Sequence, residues 1–328
     1  MIPITRRSLM ATALALTGAL SLTAGGIVGA SAAEKPKTVR ITYVASPFNV
    51  PSIVMRAKGY LDEAFAPYGI KVESPEITSG AQQVQAIAAG EIDIASVLGG
   101  SSAILGKANG ADVQVIAAYS RNPEAYAILA AKGGPQKVTD LKGKNVAGPK
   151  GTALNQLLAA ALIKNGMTLA DINYINMDLG AARAALLAGK VDAATLAGNN
   201  ALAVEQAGGH VIVNGKGLFD PTTVIGVNGA FLKSHPDLVE AYLAAHRKAL
   251  AFMAEEPEEA LKLAAAEQKI SLEDARRMNA WYDFTLKMSD ADVANLAADQ
   301  DFMVEAGMMK KKIDIKADLV APIAFTQK

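Results

Sequence analysis

Ala89 begins the stretch AGEIDIASVLGGSS, and Ala188, 99 residues later, begins AGKVDAATLAGNNA. Both run Ala-Gly, a charged residue, Ile or Val, Asp, a short apolar or small run with a hydroxyl, and then glycine. Each copy follows a helical pattern that opens at a glycine, Gly80 in the first and Gly180 in the second. A buried strand that ends in glycine and passes into a helix is part of an α/β unit. Its duplication predicts two lobes of one design. Each offers a loop at the carboxyl end of a strand, where open α/β sheets take their ligands.

The rest of the chain fits that frame. VRITYVA (39–45), GIKVESPEI (69–77), IDIASVL (92–98) and DVQVIAAY (112–119) read as strands separated by helical patterns. The helix before the first copy starts at Ser79, with Gln82 at capping-box spacing, and stops at Gly90. In the middle, AYAILAA (125–131), NVAGPKG (145–151), INYINM (172–177) and VDAATLA (191–197) are predicted strands. Between them Thr152 opens a helix whose Leu154, Leu157, Leu158, Ala161 and Leu162 share one face. TTVIGVN (222–228) is the last strand predicted, and 236–310 is helical in pattern, with Pro236 and Pro257 near helix starts. The fold class is therefore α/β, with mostly parallel sheets and helices on both faces.

The first 33 residues read as an export signal rather than as fold. Arg6 and Arg7 precede an Ala/Leu-rich run that ends at Ala30-Ser31-Ala32, so cleavage is expected near Ala32 or Ala33. The arginine pair after Thr5 resembles a twin-arginine signal, although Leu9 stands where phenylalanine is common. Without this segment the chain carries 30 basic and 32 acidic residues. So balanced a charge argues against nucleic acid as a partner and means that any ligand charge is handled locally. There is no cysteine, which excludes disulfides, thiolate metal sites and cysteine nucleophiles.

The glycines and hydroxyls of Asp93–Ser102 admit a nucleophile, a phosphate loop or an anion seat. A nucleophile elbow at Ser101 lacks its closing glycine, since Ala103 stands there. The three histidines, His210, His235 and His246, all lie late in the chain and away from the predicted loops. A phosphate loop ending at Gly106-Lys107 would need a hydroxyl where Ala108 stands, and Ser101 falls on its first glycine. No histidine pair has helical spacing for a metal. The acidic run around Pro257 reads as a helix start, and no carboxylate pair falls at the strand ends as a glycosidase would need. No catalytic residue, cofactor or metal is expected. What remains is a set of helix starts: Ser79-Gly80, Gly100-Ser101-Ser102, Gly151-Thr152 and Gly198-Asn199-Asn200. Such ends carry unpaired N–H groups and a partial positive charge that suit a small anion.

TSGAQQVQAIAAGEIDIASVLGGSSAIL, KVTDLKGKNVAGPKGTALNQLLAAALIKNGMTLADI and ARAALLAGKVDAATLA resemble the periplasmic solute-binding proteins for aliphatic sulfonates, taurine and nitrate. The likeness extends over the mature chain to FMVEAGMMKKKIDI. It implies a two-lobed periplasmic binding protein fold of type II with two crossover hinge segments, near Ser120–Asn122 and Asp220–Val224. One lobe would hold 34–120 plus 224–328 and the other 121–223. It also implies a monomer that delivers a small anionic or zwitterionic solute to the permease and ATPase subunits of an importer. The implied ligand contacts are Phe48, Asn49, Ser79, Gly80, Gly100, Ser101, Ser102, Gly151, Thr152, Asn199 and Asn200. Sulfonate binders tend to carry aromatics and proline after VDA, whereas ATLAGNNAL has neither, which implies a more polar pocket. Arg121 at the crossover is expected to make a surface salt bridge rather than a ligand contact. The same fold includes a pyrimidine synthase that uses an active-site histidine and a cysteine-rich iron motif, and binding proteins that serve a sensor or another transporter class.

Overall fold

The computed structural model describes residues 35–327. The export segment expected over 1–33 lies outside them. Ten strands follow in chain order: β1 (Thr38–Arg40), β2 (Lys71–Glu73), β3 (Ile94–Gly99), β4 (Val113–Arg121), β5 (Tyr126–Ala130), β6 (Asn145–Gly148), β7 (Asn173–Asn176), β8 (Ala193–Ala197), β9 (His210–Asn214) and β10 (Thr222–Asn228). Twelve α-helices lie among and after them in the described residues. They are α1 (Val50–Ala57), α2 (Tyr60–Phe65), α3 (Gly80–Ala88), α4 (Gly100–Ala108), α5 (Ala153–Lys164), α6 (Leu179–Leu187), α7 (Asn199–Gln206), α8 (Gly229–Ser234), α9 (Pro236–Glu255), α10 (Pro257–Gln268), α11 (Leu272–Asn279) and α12 (Asp290–Glu305).

The strands form two lobes. In the first, β3, β10 and β4 pair in that order, and a parallel bridge from Ile41 to Ile94 ties the β1–β2 pair to β3. In the second the order is β7-β6-β8-β5-β9. Each lobe has one strand that runs against all the others, β10 in the first and β5 in the second. The reason lies in the route of the chain. Forward strands end at the cleft, and all but β4 and β9 hand over to helices. A chain crossing from one lobe into the other enters at the cleft, so its first strand there must run back. Residues 122–125 lead from β4 into β5, and 215–221 lead from β9 into β10.

The Ala-rich strands of the second lobe are buried on both faces. Ile128, Val146 and Ala193 pack under α5 with Leu154, Leu157, Leu158 and Leu162. Ala127, Ala147 and Ala194 face the other way, against Leu186 of α6 and Val204 of α7. The first lobe divides in the same way. One core gathers Val39, Phe48, Phe65, Ile116 and Tyr242. The other gathers Ile87, Leu98, Ile104, Val115 and Leu296. Burying such apolar surface on both sides of a sheet stabilises roughly 25 cal/mol per Å² removed from water.

The helical stretch expected over 236–310 is four helices, α9 to α12, with Pro236 and Pro257 at the first position of α9 and α10. Residues 280–289 between α11 and α12 are not helical. Instead Asp283 bridges to Arg121 at the end of β4, and the amide of Ala118 donates to the carbonyl of Leu286. The C-terminal helices are thus tied to the strand that leads into the crossover. No helix of the described residues is long and apolar enough to cross a membrane.

Candidate functional site

A cleft of about 1020 Å³ opens where the forward strands of both lobes end. Its first wall comes from the turn after β1 (Ser46, Pro47, Asn49), the start of α3 (Thr78, Ser79, Gly80, Gln82) and Ser102 of α4. The second wall comes from Lys150 and Thr152 before α5, Asn176 and Asp178 before α6, and Asn199 and Asn200 of α7. Ser120, Asn122, Tyr126 and Thr223 form the floor, where the chain crosses between lobes.

The helix starts at this cleft are open. α3, α4, α5 and α7 begin after Ser79, Gly99, Thr152 and Gly198, and none of these residues caps its helix with a side chain. The capping box expected from Ser79 and Gln82 is not made, and both residues face the cleft instead. The Thr152 hydroxyl donates backwards to the carbonyl of Pro149 (2.8 Å) rather than accepting from the helix. α6 differs, since the Asp178 carboxylate accepts from the amide of Ala181 at 2.8 Å. First-turn N–H groups left without a side-chain partner, together with the helix dipoles, favour negative charge by about 0.3–1 kcal/mol per exposed end and up to about 2 when partly buried.

The side chains that line the cleft are mostly neutral. Its charged residues are Glu76, Lys150 and Asp178. Burial pushes the Tyr126 phenol above its ordinary value, against the downward pull of hydrogen bonds with Thr223 and Asn122. At neutral pH the phenol therefore keeps its proton and can donate.

Of the expected ligand contacts, Asn49, Ser79, Gly80, Ser102, Thr152, Asn199 and Asn200 come together on the cleft walls. Four do not. Phe48 turns inward to the core and packs on Tyr282, with ring centroids 5.9 Å apart. Gly100 is buried against Leu296 and the carbonyl of Thr222, and Ser101 is buried beside it. Gly151 stands just off the wall, where its carbonyl accepts from the Ser102 hydroxyl at 3.1 Å. Arg121 is spoken for: Nε and Nη2 grip Asp292 at 2.6 and 2.7 Å, and Nη1 reaches the carbonyl of Thr285. Asp292 is buried, so this pair is a structural clasp of the first lobe rather than a surface bridge.

The histidines stand apart from the cleft. His246 is fully buried between Tyr119 and Tyr242, and desolvation lowers it to about 3, so it is neutral. His210 meets the carbonyl of Pro135 at 2.8 Å, and His235 packs on Phe231.

The two walls also touch each other. Asn199 donates to Gln268, and Gln268 in turn donates to the carbonyl of Ala45 at 2.8 Å. Gln156 of α5 donates to Asp299 of α12 at 2.6 Å. Arg277 pairs with Glu205 at 2.9 Å. These bonds join the helices that flank the cleft on either side.

A family profile described as NMT1/THI5 like matches residues 47–260, from the turn after β1 into the first turn of α10. The chain belongs to the NMT1/THI5-like family. Two relatives are named as aliphatic sulfonates-binding proteins. That of Bacillus subtilis (strain 168) is 29% identical, covering 92% of this chain and 92% of the relative. That of Escherichia coli (strain K12) is 28% identical, covering 94% and 96%. Among solved structures, the alkanesulfonate-binding protein SsuA from Xanthomonas axonopodis pv. citri, bound to MOPS, superposes with a TM-score of 0.79 at 23% identity. That match covers 88% of this chain and all of the other, and it fixes the type II periplasmic binding protein fold.

Within this NMT1/THI5-like chain, the floor of the cleft is what the residue patterns missed. Ser120, Asn122, Tyr126 and Thr223 sit at the ends or starts of strands that read as core, and no glycine or helix start marks them. The available signal was polarity inside an apolar run. Ser120 and Asn122 are both nearly fully buried, which is rare for such residues unless they are satisfied or functional.

Proposed function

We propose that this chain is an extracytoplasmic solute-binding protein that holds a small organic anion or zwitterion between its lobes. It would pass that solute to the permease and ATPase subunits of an ATP-driven importer. The observation that carries this reading is the convergence of four helix starts without side-chain caps on one polar cleft. Such a site binds charge through backbone N–H groups, and the amides, hydroxyls and Tyr126 around it supply further donors. The names of the two relatives make sulfonates the first solutes to try. The sulfonate carriers' aromatic and proline pattern is absent after Asp192, which supports a solute with more hydrogen-bonding groups. Lobe one would comprise 34–120 and 224–328, lobe two 121–223, hinging at 120–122 and 220–224, and the protein would act as a periplasmic monomer after removal of residues 1–33.

The test is a thermal-shift screen of the mature protein against alkanesulfonates including MOPS, carboxylates, nitrate and pyrimidines. A ligand at a hundred times its Kd adds about 2.7 kcal/mol, which for a chain of this size raises Tm by about 5 °C. Catalytic turnover of any of these compounds, or stabilisation by nucleotides alone, overturns the reading.

A further inference from the structure

We propose that Asp299 and Gln156 form a proton-gated latch between the lobes, so that closing the cleft takes up a proton. This rests on the reading that the lobes close over a solute. The two side chains belong to different lobes: Gln156 to α5 over the second sheet, Asp299 to α12 against the first. Both are at least nine-tenths buried, and they meet at 2.6 Å. Neither lines the cleft.

Two observations point to a proton here. First, among the described residues no cation pairs with Asp299. The basic groups on the elements packed against α12 are engaged elsewhere, Lys107 of α4 with Asp112 and Lys316 of 315–319 with Asp290. On α12 itself, Asp292 is held by Arg121 and Asp301 by Lys312. Asp318 accepts from the amide of Asp314, Asp220 at the second crossover is a like charge, and the Tyr126 phenol at the start of β5, which keeps its proton at neutral pH, also lies near Asp299. Desolvation first, and then Asp220, push the Asp299 carboxyl up to about 7, against the hydrogen bond from Gln156. Second, the side-chain Oε1 of Gln156 is buried with no donor. A protonated Asp299 can donate O–H to Oε1 when the amide turns over, with Nε2 then taking the place that Oε1 leaves. An ionised carboxylate has nothing to give it.

The sign follows. Parting the lobes lets water reach Asp299, and its carboxyl falls towards the ordinary value of about 3.9. The closed form therefore holds the proton more tightly than the open form. Its advantage is complete at low pH and is lost as pH rises through about 7.

The experiment follows the lobe separation of the ligand-free mature protein by small-angle scattering from pH 8 to pH 5.5, alongside Asp299→Asn. The wild-type protein is expected to become more compact as pH falls. Asp299→Asn keeps a hydrogen bond and removes the charge, and is expected to be as compact at pH 8 as at pH 5.5. Binding of ethanesulfonate, whose charge does not change over this range, is expected in calorimetry to tighten at least tenfold in the wild type and less than twofold in the variant. Equal pH dependence in the two proteins, or none in either, overturns the latch. If ethanesulfonate binds both proteins alike at every pH, the solute reading stands and the latch falls. If no solute binds but compaction still tracks Asp299, the latch stands and the solute reading falls. A wild-type-like far-UV spectrum and cooperative melt of Asp299→Asn show that the comparison is made on folded protein.

Discussion

The two copies of the repeated stretch adopt the same strand–glycine–helix path, yet they do different work. At the end of β3 the backbone of Gly99 is extended, with φ −62° and ψ 134°. Gly100 then wedges the start of α4 into its own lobe, where an added Cβ would sit 2.6 Å from the carbonyl of Thr222. At the end of β8, Gly198 takes φ 55° and ψ −131°, and an added Cβ would sit 2.6 Å from the carbonyl of Pro47 in the opposite lobe. One glycine seats a helix on its own sheet; the other lets the lobes meet. A duplicated motif thus preserves the position of a loop without preserving what the loop touches.

The largest expected effects come from filling those two glycines. Gly198→Ala is expected to lose about 3 kcal/mol of closure through strain and clash, read as roughly a hundredfold weaker solute binding. Gly100→Ala is expected to cost about 2 kcal/mol of folding stability in urea, with affinity changed much less. Equal losses of affinity from both would erase the distinction. Asn199→Ala comes next. Removing its bonds to Gln268, Ser46 and Asn200 is expected to weaken binding about tenfold, or about 1.4 kcal/mol, in calorimetry. Ser102→Ala loses one hydroxyl bond to Gly151, and a few-fold weakening is expected. Ser101→Ala is the smallest, because that side chain is off the cleft; a measurable loss of affinity there would place the wrong serine on the wall.

That choice between neighbouring serines marks where sequence reading reaches its limit. The strand TTVIGVN is β10 residue for residue, and the repeat located both loops, because period and glycine stops are local properties. Successive residues in a helical turn point about 100° apart, so whether Ser101 or Ser102 meets the cleft depends on how α4 is rolled. That roll is set by Leu296 and Thr222, more than a hundred residues away in the chain. Phe48 and Asn49 divide in the same way, one into the core and one onto the wall. Strand β9 gave too weak an alternation to be predicted, and it is a partly exposed edge of its sheet. The capping box at Ser79 and Gln82 was a sound local expectation that the structure sets aside at the cleft itself. Local rules are most often broken where function needs the groups they would have satisfied.

The reversed strand β10 also sets an order of assembly. The second sheet draws all five of its strands from one continuous run, 126–214, so it can form as soon as that run is available. The first sheet cannot. β3 and β4 do not pair with each other, and the place between them is filled by β10, about a hundred residues further on. Until that strand arrives, β3 and β4 present unpaired edges, and pairings so distant in sequence are slow to form. The middle lobe is therefore the natural first unit to fold, and β10 is the keystone whose late insertion completes the other.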